Sequence, residues 1–192
     1  MIDYLSRLQQ VIKSNLICVP KVTGGLYEIK ESAQEPFLLD PKNIPDVLVL
    51  DLQKIRGDWP CFHAPHSYAH RRCDKIAVAW SKRKKAPVYL LFEMKSEQTA
   101  GAWTQLQASM AFCQFLHSMA LVNVEIEVAS PLFGAITLRN FPIVQKQFAF
   151  QGQPVPAWKK APYRSHCWRL TAHRKPNEMR LKWLLDSLEL QV

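Results

Sequence analysis

Two apolar stretches, Asp74-Lys75-Ile76-Ala77-Val78-Ala79-Trp80 and Pro87-Val88-Tyr89-Leu90-Leu91-Phe92-Glu93, decide how this chain is read. The basic turn Ser81-Lys82-Arg83-Lys84-Lys85-Ala86 joins them, and Met94 and Lys95 follow. In the simplest antiparallel hairpin Trp80 stands opposite Pro87, and Asp74 then falls opposite Glu93. Directly opposed side chains have Cβ atoms about 4.5–5.5 Å apart. Lys95, two positions beyond Glu93, shares its face. An Asp, a Glu and a Lys are therefore predicted to meet at the rim of an otherwise apolar sheet. Two carboxylates that close repel each other, and a divalent cation between them removes the conflict. Both faces of the pair are apolar: Ile76, Val78, Tyr89 and Leu91 on one, Ala77, Ala79, Leu90 and Phe92 on the other. Strands of that kind are covered on both sides.

Outward from the hairpin, helices and strands alternate. Residues 2–14 read as an amphipathic helix with Asp3 as its cap, from the spacing of Tyr4, Leu5, Leu8, Val11 and Ile12. Leu16 to Glu31 reads as one or two strands broken at Gly24-Gly25. Ser32 to Pro45, with three prolines, reads as loop. Asp46 to Leu52 reads as a buried strand or the start of a short helix. Thr99 to Met119 is predicted as a long helix packed on more than one side, since Phe112, Phe115, Leu116 and Met119 add to the stripe Trp103, Leu106, Met110 and Cys113. Val122–Ala129, Phe133–Arg139, Gln145–Phe150 and Cys167–Ala172 read as strands, and a last helix starts near Asn177, a good N-cap. This order predicts one α/β domain over residues 1–192, a mixed central β-sheet flanked by helices on both faces.

The elements around the hairpin resemble those of a known family. Asp74, an apolar strand ending in Glu93-Met94-Lys95, and the following helix with Ala102-Trp103-Thr104-Gln105-Leu106 are similar to the PD-(D/E)XK nuclease superfamily, whose fold is restriction-endonuclease-like. The resemblance covers roughly residues 71 to 118. Cys73 stands where the superfamily's name has a proline. The resemblance implies Mg²⁺-dependent hydrolysis of phosphodiester bonds, with Mn²⁺ able to substitute. Asp74 and Glu93 would be the metal ligands, joined by the backbone carbonyl of Met94. Hard oxygen donors of this kind suit Mg²⁺. Lys95 would stand beside the attacking water and offset transition-state charge. Gln105 would touch that water or a phosphate, with Gln107 an equal rival for the role. A further acid often comes from an N-terminal helix in this group; Asp3, Glu28, Glu31 and Glu35 are the candidates, and the sequence does not choose among them.

Bulk properties are consistent with that reading and narrow it. Lys and Arg number 25 against 16 Asp and Glu, a net charge of +9 that suits a polyphosphate partner. DNA is favoured over RNA. The chain has little room for a module that reads sequence. A protein partner or homo-oligomer is therefore expected, as in restriction, transposition or phage-defence systems. No apolar run approaches the ~20 residues of a membrane helix, and the start Met1-Ile2-Asp3-Tyr4-Leu5 lacks a signal-peptide pattern. Five scattered cysteines suit reduced thiols. The expectation is a cytoplasmic protein without membrane contact.

Other constellations compete with the hairpin. Cys61, His63, His66, His70 and Cys73 offer five zinc-type donors, though their spacings match no common finger. Lys82 to Lys85 lie at the far end of the hairpin, roughly 20 Å from Asp74, too far to share its chemistry. Trp158, Tyr163 and Trp168, among basic residues, suggest base stacking or core packing. A nuclease-fold protein that binds nucleic acid or a partner without cutting is the alternative function.

Overall fold

The computed structural model describes residues 4–20, 24–29, 37–44, 46–55, 71–95, 101–123, 128–139, 158–160, 167–173 and 178–190. In chain order the elements are α1 (Tyr4–Val11), β1 (Tyr27–Ile29), β2 (Phe37–Asp40), β3 (Val47–Asp51), β4 (Lys75–Ser81), β5 (Ala86–Lys95), α2 (Ala102–Ala120), β6 (Leu132–Arg139), β7 (Lys159–Lys160), β8 (Cys167–His173), β9 (Glu178–Arg180) and α3 (Leu181–Glu189). A six-stranded sheet runs β3-β4-β5-β6-β8-β7, and a three-stranded sheet runs β1-β2-β9.

The large sheet is mixed. β3, β4 and β5 form an antiparallel meander. β5, β6 and β8 then run parallel, and α2 makes the crossover that a parallel β5–β6 pair requires. Trp80 does stand opposite Pro87 in the β4–β5 ladder.

The alternation read from the hairpin divides the core. Ile76, Val78, Tyr89 and Leu91 pack under α1 and α2, with Leu5, Leu8, Leu106, Met110 and Cys113. Ala77, Ala79, Leu90 and Phe92 face the other way, toward Leu181, Leu184 and Leu188 of α3 and Ile29, Leu39 and Met179 of the small sheet. The central sheet is thus covered by helices on both faces. Under α1, one polar contact crosses the core: the Tyr4 hydroxyl lies 2.5 Å from that of Tyr89 and 2.9 Å from Nδ1 of His117. Burial pushes both phenols far up, so they remain neutral hydrogen-bonding groups. No described helix is long and apolar enough to cross a membrane.

Several elements differ from the sequence reading. α1 is shorter, and Ser14–Leu16 forms a 3₁₀ turn; Asp3 lies outside the described residues. The stretch read as loop contains β2. Pro41 follows the four-residue strand directly, where a missing N–H costs no ladder bond. The closing helix starts at Leu181 because Glu178–Arg180 pairs with β2 as a parallel strand. α2 has one buried side and leaves Phe115 and Met119 57% and 41% exposed, so it is not covered all round. Val122 and Asn123 form a turn, and Val128 and Ala129 are irregular rather than strand. Gln145–Phe150 and Asn177 lie outside the described residues.

Gly134 of β6 shows how closely the second layer packs. A Cβ there would lie 2.6 Å from Leu90 Cδ2 and 2.9 Å from Trp158 Cη2. Gly134→Ala is expected to lose about 1–3 kcal/mol of stability through overpacking. Urea unfolding checks this, and an unchanged midpoint would contradict the packing.

Candidate active site

The ladder between β4 and β5 closes at Lys75, which pairs with Phe92. Asp74 precedes it in a bend. The Asp74 N–H reaches the Phe92 carbonyl at 2.9 Å. Two successive residues, Asp74 and Lys75, therefore face one residue of β5. This is the arrangement of a β-bulge, which bends a strand and re-aims a side chain. Strict hairpin register would have set Asp74 squarely opposite Glu93. The bulge instead draws the Asp74 carboxylate alongside β5, where Oδ2 accepts the Met94 N–H at 2.6 Å.

β5 continues past this point, with Glu93, Met94 and Lys95 paired to Thr137, Leu138 and Arg139 of β6. Glu93 is 1% exposed and Asp74 7%. The two carboxylates share a corner with Cys73. Burial pushes that thiol far up, and the charges of Glu93 and Asp74 push it further. The Met94 side chain packs into the core on the α3 side, as the strand alternation predicted. An extended residue presents its N–H and C=O to the same neighbouring strand, so the Met94 carbonyl is turned to the side where Asp74 lies. The Lys95 side chain lies outside the described residues; its backbone ends β5.

α2 closes the corner. Ser109 Oγ accepts the Cys73 N–H at 2.7 Å. Gln105 stands in the first turns of α2, and its side-chain amide donates to the Arg72 carbonyl at 3.2 Å. The structure thus ties Gln105 to the irregular segment leading into Asp74. Gly101, with φ +86°, begins the helix in a conformation that side chains resist, and a Cβ there would lie 3.2 Å from Nη1 of Arg71. The guanidinium of Arg71 therefore hangs over the start of α2.

Sequence reasoning missed Gln53 and the ion pair beside it. Leu52–Lys54 is a 3₁₀ turn continuing directly from β3, so both alternatives for this stretch are realised in succession. Gln53 Nε2 donates to Asp74 Oδ1 at 2.5 Å. Asp51, paired with Lys75 in the β3–β4 ladder, holds the lysine Nζ at 2.5 Å with both side chains nearly buried. The only local signal was Asp51 ending an apolar run, and nothing in the spacing linked residue 53 to residue 74.

The donor set fits a hard dication. Two carboxylates and a backbone carbonyl are what Mg²⁺ accepts while keeping several waters. Among the described residues, no group of three or more His, Cys, Asp or Glu side chains converges as a metal site, here or elsewhere. Cys61, His63, His66 and His70 lie outside the described residues, as do Glu31, Glu35 and Tyr163. Cys73 is fully buried, donates its S–H toward the Lys75 carbonyl and has the inert character of a packed thiol. Trp158 is a core residue, with its indole N–H on Ser187 Oγ at 2.9 Å. Lys82, Arg83 and Lys85 are exposed in the hairpin turn, at the opposite end of the strands from Asp74.

Comparison with protein-family models, with curated proteins and with solved structures found no match.

Removing one member of the Asp51–Lys75 pair leaves a buried charge uncompensated. Lys75→Met alone is expected to cost about 3 kcal/mol in urea unfolding, and Asp51→Leu combined with Lys75→Met to recover most of it. A single variant as stable as wild type would contradict a buried pair.

Proposed function

We propose that this chain is a divalent-metal-dependent nuclease of the PD-(D/E)XK kind, hydrolysing phosphodiester bonds. The observation that carries the reading is the corner where the Asp74 carboxylate accepts the Met94 N–H beside the buried Glu93, at the end of the β4–β5 ladder. The mixed sheet with helices on both faces fits a restriction-endonuclease-like fold.

In this reading Asp74, Glu93 and the Met94 carbonyl hold Mg²⁺, or Mn²⁺ in its place. The bound metal supplies a water with a lowered pKa and a counter-charge for the phosphate oxygens. Burial of both carboxylates keeps their charge poorly screened, which strengthens their hold on a dication. Lys95 adds positive charge where the phosphorane-like transition state develops its own. Gln105 orients the segment entering Asp74 and, by the same amide, offers a contact to water or phosphate. Arg71, above the start of α2, is suited to a neighbouring phosphate. The net charge of +9 supports a nucleic-acid substrate, with DNA favoured. Selection of a target would fall to a protein partner or a second copy.

A second reading has an observation of its own. The Asp74 carboxylate is already engaged by two protein donors, and Glu93 is almost wholly buried. Both features suit a nuclease-fold protein that grips nucleic acid or a partner without cutting.

Cleavage assays separate the two. The protein is incubated with supercoiled, linear and single-stranded DNA and with RNA, in Mg²⁺, Mn²⁺ or EDTA. Cutting is expected with either metal and not with EDTA. Glu93→Gln and Lys95→Ala are each expected to lower the rate about 100-fold or more. Variants that cut as well as wild type would remove the assigned site. Binding by wild type without cutting would favour the second reading.

A further inference from the structure

Gln53 lies outside the pattern that Asp74, Glu93, Met94 and Lys95 form in the sequence, yet it is bonded to the first of them. We propose that Gln53 is a positioning residue for the metal site, fixing the plane of the Asp74 carboxylate so that it faces Glu93 and the Met94 carbonyl. The inference rests on the metal-dependent reading above and extends it to a residue on another strand end.

A carboxylate held through one oxygen can still swing about its Cβ–Cγ bond. Donors on both oxygens, from two different elements, remove that freedom. Met94 N–H holds Oδ2 at 2.6 Å from β5. Gln53 Nε2 holds Oδ1 at 2.5 Å from the turn after β3. Each carboxylate oxygen carries two lone pairs, so a protein donor and a metal can share one oxygen.

The turn that carries Gln53 is itself fixed. Leu52 N–H donates to the Asp74 carbonyl at 3.3 Å, a second tie to the same residue. Asp51 Oδ1 accepts the Gln53 N–H at 3.2 Å, and Asp51 Oδ2 is held by Lys75. Arg72 Nη1 donates to the Ile55 carbonyl at 2.7 Å, closing the far end of the turn. Residues on either side of Asp74 thus hold the turn whose side chain holds Asp74.

The chemistry of the donor also matters. An amide orients a carboxylate without cancelling its charge, whereas a lysine or arginine here would compete with a dication. The neighbouring Lys54 is exposed and makes no such contact in the structure. Gln53 is itself exposed, so the core does not depend on its side chain. Outer partners of this type typically contribute about 10- to 100-fold to metal affinity or activity.

The test is Mn²⁺ binding to the purified full-length protein, measured by calorimetry, with Gln53→Leu, Gln53→Glu and Asp74→Asn alongside. Gln53→Leu is expected to weaken Mn²⁺ about 10-fold while the metal-free melting temperature stays unchanged. The Mg²⁺ concentration for half-maximal cleavage should rise by a similar factor. Gln53→Glu sets a second carboxylate against Asp74, so the metal-free variant should melt earlier and Mn²⁺ should restore it. If Asp74→Asn loses Mn²⁺ while Gln53→Leu binds it as wild type does, the positioning role is overturned and the metal site stands. If wild type takes up no Mn²⁺, or Asp74→Asn keeps it, the metal-dependent reading falls and this inference falls with it.

Discussion

The bond between the Asp74 carboxylate and the Met94 N–H is the constraint on which the candidate site depends. The β4–β5 ladder ends at Lys75 and Phe92, while β5 runs on through Glu93 and Met94 to Lys95. Beyond that pair the β4 side of β5 would otherwise present an unmatched buried donor at Met94. A side-chain oxygen takes the place of a backbone carbonyl and extends the pairing by one step. The same bond decides where the carboxylate points, and therefore which groups it can share a cation with. Fold and chemistry meet in one hydrogen bond.

The rest of the architecture keeps that bond in place. Two apolar layers clamp the hairpin, α1 and α2 on one face and α3 with the small sheet on the other. Interiors packed at this density transmit small displacements instead of absorbing them. Ser109 and Gln105 of α2 hold the backbone just before Asp74 from one side. The turn after β3 holds Asp74 from the other. Among the described residues, the buried charges Asp51, Asp74, Lys75 and Glu93 gather at one end of the β4–β5 pair, and the lysine-rich turn lies at the other.

How much of this was legible follows from the range of each signal. The β4–β5 register and both faces of the sheet were readable because a two-residue alternation in a hairpin is a local property, and Ile76 through Phe92 obey it throughout. The neighbourhood of Asp74 and Glu93 followed from the same register. The bulge at Asp74 did not, since a bulge depends on hydrogen bonds at a strand end and not on side-chain pattern. β2 was hidden because it is short and one of its two partners, β9, comes from the far end of the chain. Asp51, Lys75 and Gln53 were hidden for the same reason: their meeting depends on how β3 is laid beside β4. The exposed Phe115 and Met119 mark the opposite failure, where composition suggested burial and the sheet offered only one surface.

A crystal structure of the protein soaked in Mn²⁺, with anomalous scattering used to locate the metal, tests the central claim most directly. The account predicts a single strong peak between Asp74 and Glu93, within coordination distance of both carboxylates and of the Met94 carbonyl. A metal bound by other residues, with Asp74 and Glu93 left untouched beside it, would contradict it.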